Sequence, residues 1–226
     1  MALHFLDDEL WFPDVEEALP DGLLAAGGDL STERILLAYR NGIFPWFNDD
    51  DPPLWWSPDP RFVLFPDELK VSKSMKQLLR NKEFEFKVNI DFEAVIYNCR
   101  SVLRNGVSGT WITDEVADAY TALHNMGVAH SAEAWHEGEL VGGLYGVQMG
   151  KVFFGESMFS LRSNASKYAF ICFVEQLREQ GIALIDCQVY TDHLKSLGAR
   201  SIPRREFKQL LEVHIEDTKA CRANVK

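Results

Sequence analysis

Apolar residues recur along the chain with two periods, about 3.6 and 2, and the switches between them mark out the elements. Ser31 caps a predicted helix through Ile35, Leu36, Ala38 and Tyr39 that stops at Gly42, with Leu30 as its hydrophobic staple. Arg61–Phe65 reads as a strand, and Ser72 caps a helix that turns Met75, Leu78 and Leu79 inward. A strand over Phe84–Val88 leads to a helix from Asp91 with Phe92, Val95, Ile96 and Cys99 on its inner face. Thr113 caps the next helix, with Val116, Tyr120 and Leu123 inward and Gly127 at its end. Alternation and turn residues then predict an antiparallel meander of His130–Trp135, Leu140–Gln148 and Lys151–Gly155. Ser163 or Asn164 starts what reads as the longest helix, carrying Phe170, Phe173, Val174 and Leu177 to a stop at Gly181. It feeds a strand over Ile182–Tyr190, followed by a short helix Asp192–Leu197 and a last helix opened by Pro203, with a frayed tail after Glu216.

The first sixty residues break this rhythm. They are rich in turn signals, and Phe44, Trp46, Phe47, Trp55 and Trp56 sit among prolines in a stretch that predicts no periodic element. These aromatics wedge a small domain against something larger or line a pocket. The expected class is α+β: a small N-terminal domain over 1–60 and an α/β domain over 61–226 with a mixed, mostly antiparallel sheet.

Charge sharpens that division. The net charge is −11, and residues 1–60 hold thirteen acids against Arg34 and Arg40, so the remainder balances to zero. Within Arg61–Lys82 six basic residues stand against Asp67 and Glu68, and Lys73, Lys76 and Arg80 fall on one helix face. Such a stripe is a solvated face or a local phosphate-binding patch, which survives on an acidic protein because the local field matters more than the total. No apolar run approaches a membrane span, and the first ten residues lack a basic leader region, so a cytoplasmic protein is expected. Cys99, Cys172, Cys187 and Cys221 have neither metal-like nor disulfide-like spacing, and the histidines show none either. No metal and no cofactor is expected, and a monomer is the default.

The candidate chemistry lies at the ends of two apolar strands. In Leu184-Ile185-Asp186-Cys187-Gln188, Asp186 and Gln188 share one strand face, and desolvating a carboxylate and an amide there is costly without partners or a wet cleft. They are site residues, or they cap neighbouring backbone. Lys151–Gly155 likewise runs into Glu156, so adjacent strands would converge Glu156, Asp186 and Gln188 on one cleft walled by Phe153, Met158 and Ile185. Trp111, just before a helix start, plugs the core or stacks on a base.

The order of helices, meander, long helix, buried strand and Leu-Gly turn resembles the acyltransferase fold of the N-acetyltransferase superfamily, in which the splay between the meander's last strand and the strand after the long helix holds the acyl donor. The loop Phe159–Ala165 lacks the Gly-rich turn that wraps a pyrophosphate. The wording is more specific. Gly22-Leu23-Leu24-Ala25, Gly27-Gly28-Asp29-Leu30-Ser31, Gly42-Ile43-Phe44-Pro45-Trp46-Phe47, Trp55-Trp56-Ser57-Pro58-Asp59-Pro60-Arg61, Gly109-Thr110-Trp111-Ile112-Thr113, Gly155-Glu156-Ser157-Met158-Phe159-Ser160 and Leu184-Ile185-Asp186-Cys187-Gln188 together resemble the bacterial leucyl/phenylalanyl-tRNA protein transferase family, from about Phe12 to Phe207.

That resemblance implies transfer of Leu or Phe, with Met as a further candidate, from aminoacyl-tRNA to proteins with N-terminal Arg or Lys, marking them for degradation. It implies that Trp46 and Trp111 bracket the terminal adenine with Tyr120 helping to place it. Leu144, Phe153, Met158, Phe170, Phe173, Leu177 and Ile185 would line the aminoacyl pocket, and Lys73, Lys76 and Arg80 would bind tRNA. Gln188 would accept a hydrogen bond from the attacking amine, Asp186 would polarise it, and Glu156 would meet the acceptor's basic head group. Two alternatives stay open on the residues alone, an acyl-CoA-dependent N-acyltransferase and a non-catalytic tRNA-binding module.

Overall fold

The structure of the protein, a computed structural model, describes residues 3–101 and 112–221. The chain begins with β1 (His4–Leu6), a 3₁₀ turn at Val15–Glu17, β2 (Leu23–Gly27), α1 (Thr32–Arg40), β3 (Phe44–Pro45) and β4 (Leu54–Trp56). These strands form a four-stranded sheet in the order β1-β2-β4-β3. The prolyl aromatic stretch therefore does contain strands, where none is expected from periodicity. They are too short to show a period, and they are fixed from outside the alternation: Trp55 is fully buried and its Nε1 donates to the carbonyl of Gly27 at 2.9 Å.

Then follow β5 (Arg61–Leu64), a 3₁₀ turn at Pro66–Glu68, α2 (Lys73–Asn81), β6 (Glu85–Val88), α3 (Phe92–Ser101), α4 (Asp114–Asn125), β7 (Ala129–His136), β8 (Glu139–Met149), β9 (Val152–Ser160), α5 (Ala165–Glu179), β10 (Leu184–Gln188), α6 (Asp192–Ser196), β11 (Arg200–Ile202) and α7 (Arg204–Cys221). The strands from β5 onward make a seven-stranded sheet ordered β11-β5-β10-β9-β8-β7-β6. Its pairings are antiparallel except that of β10 with β9. A meander, a helix, and a strand returning parallel to the meander's last strand make this the mixed sheet expected of a GNAT-like domain. Polar side chains cap the helices as the sequence indicates: Ser31, Ser72 and Thr113 each accept from a backbone N–H in the first turn. The longest helix is α7 rather than α5, because the apolar spacing Phe207, Leu211, Ile215 continues the stripe beyond the part read from sequence.

The sheet separates two apolar layers. On one face α3, α4, α7 and the N-terminal elements pack through residues such as Val95, Leu123, Phe154, Leu184 and Phe207. On the other, α5 and α2 cover Phe153, Ile185, Leu144 and their neighbours. Close approach is enforced by small residues: a Cβ on Gly142 would lie 2.6 Å from the Cβ of Ala165, so a bare backbone lets the start of α5 settle on β8. Among the described residues no helix is long and apolar enough to cross a membrane.

Candidate active site

Two bulges shape the site. Along β9 and β8 the register steps from Gly146↔Gly155 to Tyr145↔Ser157, which leaves Glu156 as the extra residue. Along β10 and β5 it steps from Asp186↔Val63 to Gln188↔Phe62, which leaves Cys187 extra. A bulge re-aims the residues that follow it. Phe153 and Met158 are five apart and would face opposite ways on a regular strand, yet both pack in the α5-side cluster, as the inserted residue requires. β9 also stays paired through Ser160, where the sequence suggests an end at Gly155, because β8 continues opposite it.

β10 pairs with β9 at Leu184↔Val152, Ile185↔Phe153 and Asp186↔Phe154, and there the pairing stops. Beyond it β9 runs on while Gln188 turns into the left-handed region at φ +63°. For a residue with a Cβ that conformation costs about 1–2 kcal/mol, so something must hold it. Asp186 does: its Oδ1 accepts from the backbone N of Gln188 at 2.9 Å. Asp186 is in turn gripped by Arg61, Nε to Oδ1 at 2.8 Å and a terminal nitrogen to Oδ2 at 2.6 Å, with both side chains fully buried. The guanidinium also donates to the carbonyl of Gly42 at 3.1 Å and lies 4.7 Å from the ring centroids of both Phe44 and Phe207. Arg61 therefore does not belong to the exposed basic patch in which sequence counting placed it.

The side chain of Gln188 spans the gap between the strands, its Nε2 donating to Oε1 of Glu156 at 2.9 Å. Tyr39 donates to the same oxygen at 2.6 Å and Tyr120 to Oε2 at 3.0 Å. Burial pushes the Glu156 carboxyl up to about 7, against the hydrogen bonds from Tyr39, Tyr120 and Gln188 that favour its ionised form. The same burial, together with the Glu156 charge, raises both phenols well above their ordinary value, so they stay donors at neutral pH. One N–H of the Gln188 amide is taken up by Glu156, and its carbonyl oxygen is by nature an acceptor only.

The structure thus brings Glu156, Asp186 and Gln188 together. Asp186 is enclosed and reaches the gap only through Gln188, whereas Glu156 and Gln188 keep part of their surface accessible. Leu144, Phe153, Met158, Phe170, Phe173, Leu177 and Ile185 all fall in one apolar cluster under α5, with Phe153 and Phe173 in edge contact at 5.0 Å. That cluster and Asp186 lie on opposite faces of the sheet, because Ile185 and Asp186 are consecutive on a strand; they meet only where β9 and β10 part. Tyr120, expected beside the adenine, is buried with its hydroxyl on Glu156 and Tyr39. Trp46 is 48% exposed, 5.9 Å from Trp56, which donates to its carbonyl. Trp111 lies outside the described residues. Lys73, Lys76 and Arg80 are exposed on α2 around a depression of about 520 Å³.

The sequence model described as "Leucyl/phenylalanyl-tRNA protein transferase" matches residues 63–212, and that of the family's N-terminal domain matches 28–59. The chain belongs to this family. A leucyl/phenylalanyl-tRNA–protein transferase of Pseudomonas fluorescens is 56% identical over 92% of this chain and 93% of its own length. One from Flavobacterium johnsoniae is 53% identical over 93% and 99%. Among solved structures, a GCN5-related glucosamine N-acetyltransferase region of a fungal multi-domain GH3 β-N-acetylglucosaminidase aligns at TM-score 0.43 and 11% identity, over 79% of this chain and 23% of that one.

Sequence reasoning missed two residues that the structure brings into this hydrogen-bond network, Arg61 and Tyr39. An arginine opening an otherwise apolar strand is a signal for a buried acidic partner; a tyrosine at core spacing on α1 carries no such signal.

Proposed function

We propose that the protein transfers Leu or Phe from aminoacyl-tRNA to the N-terminal Arg or Lys of acceptor proteins, forming a peptide bond that creates a degradation signal. The observation that carries this reading is Gln188, locked between Asp186 and Glu156 at the parting of β9 and β10, with an apolar cluster under α5 nearby. The donor ester is already activated, so the obstacle is the acceptor amine, whose pKa of about 8 leaves it mostly protonated at neutral pH. Gln188 accepts a hydrogen bond from the neutral amine and aims it; the amide does not titrate. Asp186 acts through Gln188 as a positioning residue, and Glu156 orients the amide and, in its ionised form, provides negative potential for a cationic acceptor. The amine nitrogen bonds to the ester carbon, the bond to the ribose oxygen breaks, and the proton leaving nitrogen ends on that oxygen. Most of the acceleration is orientation.

The apolar cluster receives the aminoacyl side chain, and Trp46 with Trp111 takes the terminal adenine, a stack that contributes roughly 1–3 kcal/mol per base. Every assigned residue comes from one copy of the chain, and the tRNA donor places the reaction in the cytoplasm. Incubation with radiolabelled Phe-tRNA and an Arg-starting peptide tests the reading. Label moves onto the peptide if it is right, stays on RNA bound to protein for a mere tRNA-binding module, and acylation supported by acyl-CoA instead would replace it. Replacing Asp186 by Asn is expected to cut kcat about 100-fold through misplacement of Gln188 while leaving KM for the tRNA close to unchanged.

A further inference from the structure

A second basic feature stands apart from α2, at the turn that leads into α5. The turn joining β9 to α5 and the start of α6 enclose a cavity of about 350 Å³ lined by Ser160, Arg162, Ser163, Asn164, Lys167 and His193 among others. Ser160 is the last residue of β9 and His193 lies in α6, the element after β10, so the cavity is lined from the chain segments that follow both strands of the site. No acidic side chain lines it. Among the described residues neither Arg162 nor Lys167 makes an ion pair, a state that Arg162 shares with exposed Arg40, Arg80 and Arg205. The Nε2 of His193 is buried and has no hydrogen-bond partner among the described residues. Burial and the nearby Lys167 hold that imidazole below the usual histidine range, so it offers a neutral donor or acceptor at pH 7. Two residues on, Lys195 lies 5.4 Å from the ring of Tyr190, an exposed aromatic two residues past Gln188 whose hydroxyl donates to Asp192 and whose edge is braced by Phe62 at 5.3 Å.

Cations without partners, hydroxyl and amide groups, and an exposed ring beside them are the chemistry that tracks a single-stranded nucleic-acid backbone. Along α5 towards α2 the groove between the two helices is lined by Glu175 and Glu179 as well as Lys76, Cys172 and Gln176, and Gln176 stands about 14 Å along α5 from Lys167, so the cavity and the α2 face are two separate basic features. We propose that the cavity of Arg162, Lys167 and His193 binds phosphates of the unpaired 3′ tail of the donor RNA, holding the tail as its esterified end enters the gap beside Gln188. The proposal rests on the transferase reading and adds a second RNA contact to it.

The test compares two donors, phenylalanyl-tRNA and phenylalanyl-adenosine, which carries the same ester and no phosphate. The double substitution Arg162→Gln, Lys167→Gln is expected to raise KM for phenylalanyl-tRNA about tenfold, to reduce its logarithmic salt dependence by about 1, and to leave turnover of phenylalanyl-adenosine unaltered. The charge-keeping pair Arg162→Lys, Lys167→Arg restores most of the lost affinity. Inorganic pyrophosphate should compete with phenylalanyl-tRNA alone; an effect on phenylalanyl-adenosine would mean that the cavity serves free phosphates and would overturn the proposal. An equal loss with both donors, or none with either, overturns it as well. Failure of the wild-type chain to use either donor would sink the transferase reading itself, a distinguishable result.

Discussion

Gln188 carries its role in its backbone. Its positive φ is held by the bond from Asp186 and by the extra residue Cys187, and Gly is the residue that adopts such a conformation freely. Gln188→Gly is therefore expected to be more stable than Gln188→Ala by about 1 kcal/mol, read from denaturant midpoints, although both lose transfer. Coincident midpoints would show that no strain is stored there. Glu156 gives a pH signature. Its carboxyl titrates near 7 in the folded chain against 4.5 for an ordinary one, so between these values the folded state keeps a proton the unfolded state has lost. This group's contribution is fully present below about 4.5 and is lost as pH rises through about 7; melting temperature should fall over that window, and Glu156→Gln should flatten the fall. Asp186, Gln188 and Glu156 were legible in the sequence because polar groups at the ends of apolar strands demand partners. Arg61 and Tyr39 were not, since their partners lie 125 and 117 residues away along the chain.

At the scale of elements, the helices followed from caps and apolar spacing, while the strands departed from simple alternation at the two bulges. An inserted residue leaves no mark in a hydrophobic pattern whose faces are both buried. Gly146 is the trace that it does leave. It pairs beside the bulge at Glu156, and a Cβ there would lie 2.1 Å from the carbonyl oxygen of Phe154 and 2.6 Å from the ring of Phe153. Gly146→Ala must push β8 away from β9 or turn Phe153 out of its cluster. A loss of roughly 1–3 kcal/mol or more is expected in thermal or urea unfolding, accompanied by a raised KM for the donor. A stable variant with unaltered kinetics would mean that the strands accommodate the methyl without disturbing the site.

Across the whole molecule, charge is sorted by region. The acids concentrate before residue 60, whereas Lys73, Lys76 and Arg80 stand exposed on α2. Binding of tRNA should weaken steeply with salt, and replacing the three α2 residues by Ala should lower the slope of log K against log salt by about 2–3. An unchanged slope would remove α2 from the contact. The uneven charge and the basic helix could be read from composition and spacing. How the two ends of the chain come together could not, because no local pattern encodes that Phe207 and Leu211 of α7 share a core with Phe44 and Tyr39.

That convergence has a consequence for how the protein becomes competent. The Arg61 guanidinium, which grips Asp186 and through it Gln188, rests on Phe44 from early in the chain and Phe207 from late in it. A chain still emerging from the ribosome, or one clipped before its final helix, would lack one side of that seat and leave a charge in an unfinished interior. The buried Arg61–Asp186 pair would then gain its full enclosure only when the last helix packs against the first sixty residues.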